Sequence, residues 1–154
     1  MAKLKLTMAL DRYDRHVPFF EGTVKVPDGI ELEMLKVGQS TPKEHGAGRH
    51  GRMLRDGEFD IAELGLSPYL MAATRNRDLP VIGIPVYPRR LFSQNRIHVN
   101  VDAGIETPMD LVGKRIAVSG FQVTLTVLAK GDLKRDLGVP WQDSTWITAL
   151  HEEI

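Results

Sequence analysis

Residues 58–93 read EFDIAELGLSPYLMAATRNRDLPVIGIPVYPRRLFS, and the way this run is parsed decides the fold. Asp60 to Leu66 is a short strand pattern of apolar and β-branched residues that stops at Ser67-Pro68. Serine followed by proline predicts a helix start, because the hydroxyl can accept a free backbone N–H and proline suits the first helical position. Leu70 to Ala73 continue as a short helix that Asp78-Leu79-Pro80 ends. Val81 to Val86 then reads as a buried strand with Pro85 near its end. A strand thus feeds directly into a helix amino terminus. In an open α/β sheet that junction is where ligands sit, and free N–H groups favour an anion there. Tyr69 within the turn, and Arg89 and Arg90 beyond the following strand, could supply further recognition groups.

Upstream, Leu4, Leu6, Met8 and Leu10 alternate with Lys3, Lys5, Thr7 and Ala9, the period of a strand with one face buried. It ends in Asp11-Arg12-Tyr13-Asp14-Arg15. That cluster is either a solvated loop whose charges satisfy each other, or it puts Arg12 or Tyr13 at the mouth of the Ser67 crevice. His16 to Gly22 suggests a short helix with Phe19 and Phe20 inward, Val26 to Gly29 a turn, and Ile30 to Val37 a second strand. Thr41-Pro42-Lys43-Glu44 looks like a capping box. The glycines at 46, 48 and 51 oppose a helix by about 1 kcal/mol each relative to alanine. A loop or frayed turn is expected there, with the firm helix near Arg49 to Asp56 and Gly57 as its stop. His45 and His50 are five apart, off a common helical face and without a completing carboxylate, so they read as a solvated loop and not as a metal site.

Downstream, Arg96 to Val101 alternates as a strand and crossover to a second lobe, with His98 at its middle. His98 is there either a hydrogen-bonded sheet residue or a catalytic one. Thr107-Pro108 with Asp110 repeats the capping-box pattern. Lys114 to Val118 reads as a buried strand, Ser119 to Gln122 as the turn at its end, and Val123 to Leu137 as a long helix closed by Gly138. Trp141 and then Ser144 to Ala149 suggest one more strand. The second half repeats the first, giving lobes at 1–94 and 95–154, the latter partial. Two helix starts facing each other across a cleft could grip an anion from both sides.

Composition narrows the function. Twenty basic and twenty acidic residues in 154 remove the electrostatic case for nucleic acid, which needs a basic excess. The apolar fraction of 42% is enough for a core. With no cysteine, disulfides and thiolate metal sites are excluded. The amino-terminal MAKLKLTMALDRYD lacks a long apolar run and a cleavage site, so it reads as a strand, not a signal peptide. No segment is apolar enough to span a bilayer. The expected location is cytoplasmic, or periplasmic if a leader was removed.

Three segments carry a resemblance: GEFDIAELGLSPYLM, PVYPRRLFSQNRIHVNVDAGI and TPMDLVGKRIAVSGFQ, with ALDRYDR near the start. They resemble 4,5-dihydroxyphthalate decarboxylase and its relatives, which in turn resemble the type II periplasmic binding proteins of ABC transporters. Family members are longer, and the segment His45 to Gly51 departs from the apolar helix usual there. The resemblance implies an α/β fold of the type II periplasmic-binding-protein kind, one lobe plus an incomplete second, with an acidic small molecule between them. It implies decarboxylation of an aromatic acid bearing ring hydroxyls, with no metal or organic cofactor. Arg89 or Arg90 suits the spectator carboxylate, since a guanidinium forks onto it; both could equally be solvated. Ser67 suits an anionic oxygen and Gln122 a hydroxyl, while Arg12, Tyr13 and Tyr69 complete the binding set. Asp14 and His98 are the candidate proton donors. The other readings of the chain are a solute-binding protein for an organic anion, which does no chemistry, and an inactive truncation. An unfinished lobe would expose sheet edge or apolar surface, which favours a homo-oligomer.

Overall fold

The protein is described by a computed structural model covering residues 2–38, 48–76, 78–89 and 92–149. The chain divides into two compact units. One is formed by the chain up to Gly65 together with Tyr69–Pro88, the other by Leu66–Pro68 with the chain from Arg89 onward. Both are α/β with parallel strands.

The first unit is organised on β1 (Leu4–Leu10), the central strand of a sheet ordered β2-β1-β3, with β2 at Ile30–Lys36 and β3 at Ile61–Ala62. Both pairings are parallel. A parallel strand is covered on both faces, which is why Ala9 and Leu10 are both buried; burial along β1 rises from exposed at Leu4 to buried at its end and does not follow the alternation of the sequence. Ala9 packs with Val37, Met53 and Phe59, and Leu35, Ala62, Leu64 and Val81 close around them. The third strand is only two residues long, with Met8 opposite Ile61 and Ala9 opposite Ala62. Its register is pinned from outside the ladder: the Asp60 carboxylate accepts from the backbone N–H and the hydroxyl of Thr7, at 2.8 and 2.9 Å. Since all three strands run the same way, residues 11–16, 37–38 and 63–65 follow their carboxyl ends. Helices α1 (Val17–Phe20), α2 (Arg49–Leu54) and α3 (Leu66–Arg75) connect or follow them, and Gly57, with φ of 60°, stops the chain after α2.

Two expectations for this unit are corrected. Helix α3 begins at Leu66 with Gly65 as its cap and no side-chain capping bond, so Ser67 lies inside the first turn and its hydroxyl is not a cap. Val81 to Val86 is not a strand. Its backbone donors are spent locally: Gly83 N–H goes to the Tyr69 hydroxyl at 3.0 Å, Val86 N–H returns to the Ile84 carbonyl, and Pro85 has none. Ile82, within the run expected to be buried, is 84% exposed. The capping box at residues 41–44 and His45 lie outside the described residues.

The second unit pairs β4 (Arg115–Val118) in parallel with β5 (Thr145–Thr148), joined through α4 (Thr124–Arg135). Leu111, Leu133 and Val139 form its core, with Ile105, Ile116 and Trp146 packed against them. The buried Lys130 ammonium donates to the Phe121 carbonyl at 3.0 Å and lies 3.2 Å from the centre of that ring, with Trp141 and Trp146 beside it. The Thr107-to-Asp110 pattern opens a short 3-10 turn at Pro108–Leu111, and its carboxylate accepts from Thr107 N–H at 2.7 Å. Strand β4 is half-buried, not buried: its side chains alternate exposed and half-buried, because among the described residues it has only β5 beside it in the sheet. Arg96 to Val101 is not a strand either. Ser93–Arg96 and Val101–Ala103 are 3-10 turns, and the Asn100 side chain accepts from Asp102 N–H, which turns the chain where a ladder would have continued.

Candidate functional site

The carboxyl edge of the β2-β1-β3 sheet gathers ionisable and aromatic side chains. Glu63 leaves β3 by one residue, and Tyr13 sits on the loop after β1. The Tyr13 hydroxyl donates to Glu63 Oε1 at 2.8 Å, and Arg49 Nη2 donates to Oε2 at 2.9 Å. The Arg49 side chain has no accessible surface and that of Glu63 only 7%. A buried guanidinium is tolerable only when its donors are used. Here Nε reaches the Glu63 carbonyl at 2.7 Å and Nη1 the Val37 carbonyl at 2.5 Å. Arg49 therefore ties the ends of β2 and β3 together while neutralising the carboxylate between them.

Next to it on α2, His50 Nε2 accepts from Gly65 N–H at 2.9 Å, so Nδ1 bears the ring proton. His50 is thus half-buried on a helix and hydrogen-bonded, which corrects its reading as a solvated loop residue. His16 precedes α1 and is 2% exposed. Its Nδ1 lies 2.8 Å from the Asp11 carbonyl, which can only accept, and its ring lies against Tyr13, tilted by 42° with centroids 4.0 Å apart. Its Nε2 is buried and has no hydrogen-bond partner.

The residues singled out by sequence are distributed as follows. Tyr13 is in the cluster. Arg12 is exposed and pairs with Glu21 at 3.6 Å, and Asp14 is exposed on the same loop. Tyr69 is half-buried, and its hydroxyl accepts from Gly83 N–H. A Cβ at Gly83 would come within 3.0 to 3.2 Å of the Tyr69 ring and hydroxyl, so glycine is what lets the two approach. The Ser67 N–H donates to Thr124 Oγ1 at 3.1 Å within the second unit. With Gly65 N–H given to His50 and Pro68 lacking one, three of the first positions of α3 offer nothing to an anion. Arg89 is exposed, Gln122 is half-buried just past β4, and Arg90 is outside the described residues. His98 is exposed in an irregular segment, not mid-strand.

Sequence reasoning missed Glu63, Arg49 and His16. Glu63 had a usable signal, as an acidic residue in the middle of the apolar run Asp60 to Leu66. Arg49, among glycines, had none.

The second unit holds an open pocket of about 280 Å³ walled by Ile97, Val99, Ile105, Leu111, Leu133 and Leu137. Its polar lining is Gln94, Glu106 and Thr107 with no cation, which suits an anionic ligand poorly. Among the described residues, no group of three or more His, Cys, Asp or Glu side chains could hold a metal ion, and no helix is long and apolar enough to cross a membrane.

No protein-family model matches the chain. Curated relatives do. The chain is 35% identical over 154 residues to a 4,5-dihydroxyphthalate decarboxylase of Comamonas testosteroni, covering 99% of this chain and 44% of that protein. It is 36% identical to a 4,5-dihydroxyphthalate decarboxylase of Pseudomonas putida, covering 99% of this chain and 56% of that one. The chain resembles these decarboxylases along essentially its whole length, and it spans about half the length of each.

Proposed function

We propose that this chain serves in the cofactor-independent decarboxylation of a hydroxylated aromatic acid of the 4,5-dihydroxyphthalate type. The observation that carries the reading is end-to-end similarity to proteins of that name. The polar cluster after β1 and β3 supports it, because ligands of open α/β sheets bind beyond the carboxyl ends of the strands. In the reaction one ring-to-carboxylate bond breaks, carbon dioxide leaves, and the electron pair left on the ring carbon takes a proton. The product is 3,4-dihydroxybenzoate. A placed donor is worth roughly 10²–10⁴-fold in such a step. Asp14, exposed beside Tyr13 on the same loop, is the donor we assign. Tyr13, oriented by Glu63, is assigned to a ring hydroxyl, and Arg12, exposed on the same loop, to the carboxylate that stays. We further propose that the two units are lobes of the type II periplasmic-binding-protein kind. The strand–turn–helix order repeated in both, with parallel pairing in each, supports this.

The test is incubation of the purified chain with 4,5-dihydroxyphthalate, following carbon dioxide release beside calorimetric binding. Turnover that falls at least tenfold in Asp14→Asn is the expected result. Saturable binding with no turnover would instead favour a solute-binding role, and the absence of both binding and turnover would remove the reading.

A further inference from the structure

His16 is the one buried polar side chain among the described residues with an atom that nothing satisfies. Leaving an acceptor orphaned in the interior costs stability that an apolar ring of the same shape would not. The rest of the residue is well held: Nδ1 is fixed on the Asp11 carbonyl, and the ring lies in tilted contact with Tyr13. Because Nδ1 must carry a proton to bond a carbonyl, Nε2 in the neutral ring is a bare lone pair. It is an acceptor waiting for a donor, at the carboxyl edge of the sheet and beside the Tyr13–Glu63 pair.

We propose that His16 is a specificity-determining residue whose Nε2 accepts a hydrogen bond from a phenolic O–H of the ligand. The half-exposed Tyr13 ring covers it at a tilt of 42° and turns, with its hydroxyl still on Glu63, to admit the ligand's hydroxyl. This rests on the proposed function for the identity of the ligand and deepens it by naming which group reads the ring hydroxyls. An aromatic acid without hydroxyls has no donor to offer and leaves the lone pair as it was. A site that hydrogen-bonds a hydroxyl discriminates strongly against the analogue lacking it, because its own polar group stays unpaired.

The test compares 4,5-dihydroxyphthalate with phthalate by calorimetry on the full chain, on His16→Asn and on His16→Gln. Asparagine keeps a donor where Nδ1 stands and loses the acceptor at Nε2; glutamine keeps the acceptor. The unaltered chain is expected to prefer the dihydroxy acid. His16→Asn should lose about tenfold of that preference with phthalate affinity unchanged, and His16→Gln should recover part of it. Preference kept in His16→Asn overturns the inference while leaving the proposed function standing, as does equal binding of both acids by the unaltered chain. Binding of neither acid removes the functional reading and the inference with it. Should His16→Asn not fold, ¹⁵N-histidine spectra of the unaltered chain decide the matter. The Nε2 resonance should move with 4,5-dihydroxyphthalate and stay with phthalate, and the opposite pattern or no movement counts against the inference.

Discussion

Arg49 shows how one side chain can serve both the fold and the site. It closes carbonyls at the ends of two strands and holds Glu63 in place for Tyr13. Removing one partner of a buried ion pair leaves the other charge uncompensated, which costs about 3–5 kcal/mol. Arg49→Met is therefore expected to lose that much stability in urea denaturation. Tyr13→Phe, which removes the hydrogen bond to the Glu63 carboxylate, should lose about 1.5–3 kcal/mol and remain folded. Equal losses in the two variants would contradict the clamp. Tyr13 was legible in the sequence because a polar cluster ending an alternating strand has to lie at the sheet edge. Arg49 was not, because a guanidinium that reaches strand ends through space leaves no trace in local periodicity.

At the scale of elements, carboxylates fasten pieces too short to hold themselves. Thr7 lowers the Asp60 pKa through its N–H and hydroxyl, and Thr107 and Glu106 lower that of Asp110 in the same manner. A carboxyl whose folded pKa is depressed contributes stability that is present above its ordinary value and lost as pH falls through the folded one. Asp60→Asn and Asp110→Asn should accordingly be less stable than the unaltered chain at neutral pH, and the gap should close in strong acid. Denaturation curves across that pH range check this; a gap that persists unchanged in acid would contradict it. The Asp110 turn could be read directly from TPMD, since every partner lies within a few residues. The segments 81–86 and 96–101 could not be read that way. Their alternation resembles a strand, but whether backbone donors reach a ladder depends on Tyr69 in the first case and on the Asn100 side chain in the second. The start of α3 was misplaced by two residues for a related reason: Ser67-Pro68 suits the first turn as well as the cap.

For the whole molecule, the parallel α/β plan of each unit followed from strand, turn and helix order, and the similarity to the longer decarboxylases followed from three quoted segments. Several large apolar side chains nevertheless stand in solvent, among them Ile82, Phe92 and Val101 at 84, 78 and 92% exposure. Surfaces of this kind favour association, so sedimentation should show a species larger than the monomer as concentration rises, and a monomer throughout would argue against it. The central claim is that an aromatic acid is held at the carboxyl edge of the first sheet. Amide shift mapping of the ¹⁵N-labelled chain during titration with 4,5-dihydroxyphthalate tests it most directly. The account expects the largest shifts at Asp11 to His16, at His50 and at Glu63 to Gly65. Shifts confined to the apolar pocket between Ile97 and Leu137, or none at all, would contradict it.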